Sequence, residues 1–239
     1  MNLTLDIGNT SIKWATFEGK TLKDSGRWTM GDTAANSFQN EWNKLKEDCE
    51  QEIACASGDI STLGITPTLL NHHTPLPIKL NYRTPETLGA DRVASACGAW
   101  ALNPGKDTLI IDAGTCITVD FLSSEGIYHG GAIMPGLKIN LQALHTFTAK
   151  LPLVSFNRET HVPLLGRTTE ESILAGTLGA TMLALAGFVT AYRQRCPSLQ
   201  VVLTGGDADQ LLAAGNNGWD YQPHLTLIGL NEILINLHK

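Results

Sequence analysis

Leu5-Asp6-Ile7-Gly8-Asn9-Thr10-Ser11-Ile12 decides the fold, because a second copy follows at Ile111-Asp112-Ala113-Gly114-Thr115-Cys116-Ile117. In each copy an apolar, β-favouring run ends in Asp-x-Gly, and a hydroxyl residue leads into a second strand. The second copy is one residue shorter. Asp6 aligns with Asp112, Gly8 with Gly114 and Thr10 with Thr115. Each second strand closes at Glu-Gly, at Glu18-Gly19 and Glu125-Gly126. The two aspartates lie 106 positions apart, which is a domain length. A single Asp-x-Gly turn is commonplace; two in the same setting at that spacing mark a duplication. The chain therefore reads as α/β, in two related halves. The break at Asn103-Pro104-Gly105 cuts it into residues 1–105 and 106–239.

The chemistry of such a turn points to phosphate. Glycine has no Cβ, so a ligand can approach the backbone amides. N–H groups of a tight turn converge on an anion. Thr or Ser adds a hydroxyl donor. The carboxylate repels phosphate, but it can bind a cation that bridges to phosphate or orient a water that does. Lys13 follows the first turn and can neutralise a terminal phosphate. Two such turns across a cleft would hold a polyphosphate from both sides. Walker A, Gly-x-Gly-x-x-Gly and His-Glu-x-x-His patterns are absent from the sequence.

Composition narrows the classes. In 239 residues, 23 acids oppose 17 bases for a net charge of −6, with no basic run. Nucleic acid is thus not an expected partner. Hydrophobic residues make up 43%, enough for a real core, and charged residues only 17%. The sparse charge suggests that part of the surface is covered, most simply by a second copy of the chain. The five cysteines are an odd number with no Cys-x-x-Cys spacing, which fits reduced thiols in the cytoplasm. Met1–Asp6 lacks the basic and apolar regions of a signal peptide. Ser172–Tyr192 carries no charge over a bilayer-spanning length. Its many Gly, Ala and Thr favour a buried helix at a helix–helix contact, so no membrane is expected.

Coarse reading gives strands at Leu3–Ile7, Ser11–Phe17, Ile53–Ser57, Ile78–Tyr82, Leu109–Asp112, Cys116–Leu122, Ile127–Met134 and Gln200–Thr204. Helices are expected from a cap at Asp32 to about Glu50, and over Leu63–His72, Arg92–Ala101, Pro135–His145, Thr168–Arg195, Asp207–Ala214 and Asn231–Leu237. His72-His73 has metal-ligand residue types, but neighbours on an extended chain diverge, so the pair reads as surface or packing.

Leu88-Gly89-Ala90-Asp91-Arg92 places a carboxylate beside a guanidinium at a loop-to-helix junction. Asp91 reads equally as a helix N-cap or as a base for a substrate hydroxyl, with Arg92 as a fork for a carboxylate. Thr204-Gly205-Gly206-Asp207 joins a strand to a helix; its glycines allow a ring or ribose to lie on the backbone.

Asp6–Thr10, Gly89–Arg92, Asp112–Thr115 with Asp120, Gly130–Gly136 and Thr204–Asp207 occur in order over residues 3 to 215. The ordered set resembles type III pantothenate kinase. More broadly it is similar to the acetate and sugar kinase, Hsc70 and actin superfamily, whose halves are duplicated ribonuclease-H-like domains around a cleft. The resemblance implies transfer of the ATP γ-phosphate to the primary hydroxyl of pantothenate, giving 4'-phosphopantothenate, the first step toward coenzyme A. It implies that Asp6, Ile7, Gly8, Asn9, Thr10, Ser11, Ile12 and Lys13 form the first phosphate loop, that Thr115 touches ATP phosphate, and that Gly205 and Gly206 face adenosine. Asp91 would be the catalytic base. Gly89, Ala90, Asp91, Arg92 and Tyr82 would line the pantothenate pocket, with Thr169 reaching it from a homodimer partner. Asp112 would bind a monovalent cation, potassium or ammonium, and Mg²⁺ would arrive with ATP. Cys116 stands where a small residue such as Ala is usual.

Two other readings share some of these features. Another kinase of the superfamily would use both turns with a different acceptor. A binding-only protein would have no use for Asp91.

Overall fold

The computed structural model describes residues 1–29, 35–58, 60–61, 63–214 and 218–238; the expected cap at Asp32 lies outside them. It is built from β1 (Asn2–Ile7), β2 (Ser11–Glu18), β3 (Thr21–Thr29), α1 (Ala35–Glu47), β4 (Gln51–Ala56), β5 (Lys79–Leu80), α2 (Ala90–Leu102), β6 (Thr108–Ala113), β7 (Cys116–Leu122), β8 (Ile127–Pro135), α3 (Leu137–Thr146), α4 (Thr169–Leu174), α5 (Ala180–Arg193), β9 (Gln200–Thr204), α6 (Ala208–Ala214), β10 (Asp220–Tyr221) and α7 (Leu225–Leu237).

Two compact units result: Met1–Gly105 with Leu122–Gly130 and His224–Lys239, and Lys106–Phe121 with Gly131–Pro223. The C-terminal helix and residues 122–130 belong to the first unit. The reason lies in α2 and α7. A methyl on Gly98 would overlap the Leu225 carbonyl, and one on Gly229 the Ala94 carbonyl, so the helices touch backbone to backbone. Ser95 Oγ and Thr226 Oγ1 share a buried hydrogen bond of 3.0 Å. Polar ties add to this: Asn231 donates to the Gly19 carbonyl and Lys20 pairs with Glu232.

The first unit holds a sheet of order β3-β2-β1-β4, antiparallel except where β1 runs parallel to β4. Leu3, Leu5, Ile7 and Ile12 meet Phe38 and Trp42 of α1 in its core. The second sheet runs β10-β9-β6-β7-β8-β5, with β6 parallel to β9. Its strand order β8-β7-β6-β9 repeats β3-β2-β1-β4, which is the duplication seen in sequence. Leu109, Ile111, Ile117 and Val119 pack there against Leu137 and Leu141 of α3 and Leu185 and Val189 of α5.

Several expectations change. The sequence gives no sign of β3, because Thr21–Thr29 is largely exposed, carries Lys23, Asp24 and Arg27, and has no apolar alternation. Leu63–His72 is turn and extended chain, as Gly64 at φ +65° and Pro67 dictate. Helix α2 begins at Ala90, two residues early, and α7 at Leu225, six early. The uncharged segment starts within α4, passes through a π-helical turn over Ala175–Gly179 and runs along α5. Over Thr169–Arg193 its most apolar window has mean hydropathy 1.8 and is 39% buried. One face joins the core through Ile173, Leu178 and Leu185, while Leu183 remains exposed. His72 and His73 are exposed, and their rings lie 3.9 Å apart.

Candidate active site

The two Asp-x-Gly turns close by the same device. Gly8 N donates to Ser11 O at 3.0 Å, and Gly114 N to Cys116 O at 3.0 Å, one residue tighter as the sequence requires. Each turn is also braced from the neighbouring parallel strand. Ser57 N donates to Ile7 O after β4, and Asp207 N to Ala113 O after β9. Gly205 adopts φ +101°, and a Cβ on it would lie 2.5 Å from Ala113 C and N. Only glycine fits there. Gly206 faces open space. The braces were not anticipated from sequence, although Gly58-Asp59 and Gly206-Asp207 repeat after matching strands.

The first unit gathers Asp6, Lys13, Asp91, Arg92 and Tyr82. Asp6 and Lys13 are direct partners across β1 and β2. Burial raises the Asp6 carboxyl above the ordinary carboxylate range; Lys13 opposes the shift and the Asp91 charge adds to it. Ile7 and Ile12 are core residues, so only their backbones can serve a ligand. Asn9 and Thr10 are exposed at the turn, and Ser11 is buried.

Asp91 is not an N-cap. Gly89 holds that position without a side-chain bond, and Asp91 lies in the first turn of α2. Its Oδ1 accepts the Arg92 N–H at 2.8 Å. A Cβ on Gly89 would come 2.5 Å from that oxygen, so Gly89 makes room for the carboxylate. The positive end of the helix favours a negative charge there. Ala90 opens α2, and Arg92 is buried, at 8% exposure. Tyr82 is half-buried. Its ring lies 6.2 Å from that of Tyr128 and covers Gly130, where φ is +88° and a Cβ would be 3.1 Å from Tyr82 Cε2.

The second unit gathers Asp112, Thr115, Gly205 and Gly206, with Thr169 at the start of α4. Asp112 is half-buried and in register with Thr204 on β9. Thr115 and Cys116 are exposed. Gly136 N donates to Thr115 O at 3.0 Å, which ties the start of α3 to the turn. Lys138 Nζ pairs with Asp207 Oδ1 at 3.2 Å, a contact that sequence spacing did not signal. Thr169 is exposed beside the N-cap Thr168, whose Oγ1 accepts from Glu171 N, while the Glu171 carboxylate accepts from Arg167 N.

Duplicated phosphate-type turns on two sheets of matching strand order define the actin-like ATPase and sugar kinase fold. Solved structures agree. A Campylobacter jejuni protein described as a Baf family transcriptional activator superposes with TM-score 0.65 at 18% identity, over 99% of this chain and 98% of that one. The activator of 2-hydroxyisocaproyl-CoA dehydratase from Clostridium difficile, solved with ADPNP, gives 0.57 at 16%, over 99% and 94%. Within that fold, residues 2–191 match the type III pantothenate kinase family. A type III pantothenate kinase of Bacteroides fragilis is 39% identical over 242 residues, covering 98% of this chain and 97% of the relative. The chain belongs to the type III pantothenate kinase family, and it is a kinase that uses ATP.

Proposed function

We propose that the chain phosphorylates pantothenate with Asp91 as the base, the carboxylate that Gly89 and the first turn of α2 hold in place. The primary hydroxyl of pantothenate attacks the γ-phosphorus of MgATP. A new P–O bond forms, the bond to the β-phosphate oxygen breaks, and the hydroxyl proton passes to Asp91. A loose transition state asks little basicity of that group, so an ordinary carboxylate serves.

Gly8–Ser11 and Lys13 bind phosphate in this scheme, through turn amides, hydroxyls and one ammonium. Thr115 adds a hydroxyl from the second turn. Gly205 and Gly206 take the adenosine; the open face of Gly206 supports this. Arg92 and Tyr82 line the pantothenate pocket, with the guanidinium for the carboxylate. Asp112 and its register partner Thr204 offer only oxygen donors, which suit a potassium or ammonium ion. That ion would supply positive charge beside the phosphates.

A homodimer accounts for the exposed Phe147, Leu164, Leu165 and Leu183, all in the second unit. Thr169 at the start of α4 would then serve the pantothenate pocket of the second copy. Five free cysteines suit the cytoplasm.

The test is ADP release from MgATP with and without pantothenate, in potassium and in sodium buffer. Turnover that needs both pantothenate and potassium is expected. Release indifferent to pantothenate would overturn the acceptor, and equal rates in both salts would remove the cation from Asp112.

A further inference from the structure

Strand register places three polar side chains in one row. Asp6 on β1 pairs with Lys13 on β2 and, on its other side, with Cys55 on β4. Residues in register across a sheet share a face. The Cys55 thiol lies 3.5 Å from Asp6 Oδ1, with Cys55 wholly buried. A carboxylate there only accepts, so the S–H is the donor. Burial, with the charges of Asp6 and Asp91, pushes the thiol well above its ordinary range, and it stays protonated. Asp6 thus carries two partners of different kinds. Lys13 supplies charge, and Cys55 supplies a directional bond to one named oxygen.

We propose that Cys55 is a positioning residue for Asp6, its thiol fixing the carboxylate rotamer from the β4 side so that Asp6 faces the cation or water that bridges it to the phosphates of MgATP. This rests on the assignment of Asp6 to the ATP site. Packing alone would require only the volume of a small apolar group at position 55. Positioning requires a donor.

The experiment separates the two with Cys55→Val, Cys55→Ala and Cys55→Ser, alongside Asp6→Asn, in the full chain. KM for MgATP, KM for pantothenate and kcat are measured, with a thermal melt on each variant. A thiol is a weak donor, so the lost hydrogen bond corresponds to an effect of a few-fold to about tenfold. Val and Ala are expected to raise KM for MgATP or lower kcat by about that factor, leaving KM for pantothenate within twofold. Ser, which keeps a donor, is expected to recover most of the loss. Wild-type kinetics in folded Val and Ala variants would overturn the proposal, as would Ser failing as badly as Ala with an intact melt. If Ser does not fold, Val decides alone, since it fills the volume without a donor. A wild-type Asp6→Asn would overturn both the proposal and the place of Asp6 in the ATP site. An inactive Asp6→Asn beside normal Val and Ala variants would overturn only the role of Cys55.

Discussion

Gly229 of α7 rests directly on the backbone of Ala94 in α2, where a methyl would overlap the Ala94 carbonyl oxygen. Ala94 lies one helical turn beyond Asp91, so this contact sets the height of the helix that carries Asp91. Gly229→Ala must push the helices apart. Overpacking of this kind costs about 1–3 kcal/mol, and each kcal/mol lowers Tm by about 2–4 °C in a chain of this size. Differential scanning calorimetry checks the fall. An unchanged Tm would mean that the α2–α7 interface yields without strain.

Asp91→Asn keeps the size of the side chain and removes the carboxylate that the proposed mechanism uses as proton acceptor. Turnover is expected to fall by about 10²–10⁴-fold. The melt and MgATP binding by isothermal titration should stay near wild type. Near-normal turnover would take Asp91 out of the proton transfer.

Gly205→Ala puts a Cβ at φ +101° against the backbone of Ala113. The backbone conformation alone costs about 1–2 kcal/mol for an L-residue. The turn that Asp207 N braces should shift, lowering Tm and weakening MgATP binding. Gly206→Ala, facing open space, should leave Tm nearly unchanged while still obstructing adenosine. Equal melts for the two variants would contradict the close approach of Gly205 to Ala113.

His224 precedes α7, and burial, aided by the Lys13 charge, holds its imidazole below the ordinary histidine value. The folded state then binds the proton less readily than the unfolded chain. Stability from this source is present above about pH 6.5, the unfolded value, and is lost as pH falls from there through the lower folded value. His224→Gln should flatten that part of the curve. Urea midpoints at pH 7.5 and 5.5 test it: the wild type should lose more than the variant on acidification.

The duplicated turns were legible because their geometry is local. Asp6, Gly8, Asp112 and Gly114 sit in turns closed by a few neighbouring backbone groups, and the duplication doubled the signal. The Gly89–Arg92 segment was legible as a loop-to-helix junction, yet whether Asp91 caps the helix or rides in its first turn depended on where α2 starts. The Lys138–Asp207 pair and the Cys55–Asp6 bond gave no sequence pattern, and the braces from Ser57 and Asp207 gave only the Gly-Asp pair repeated after β4 and β9. Each joins residues on elements brought together only by the sheet or by helix packing.

By itself the sequence determined that this protein has two related halves, each with a turn whose missing Cβ and converging amides suit phosphate. Short-range sterics and hydrogen bonding are enough for that. Tertiary structure alone decided that the last helix returns to the first unit. Gly98 and Gly229 let α2 and α7 meet at backbone distance, and complementarity between segments 131 positions apart has no local signature.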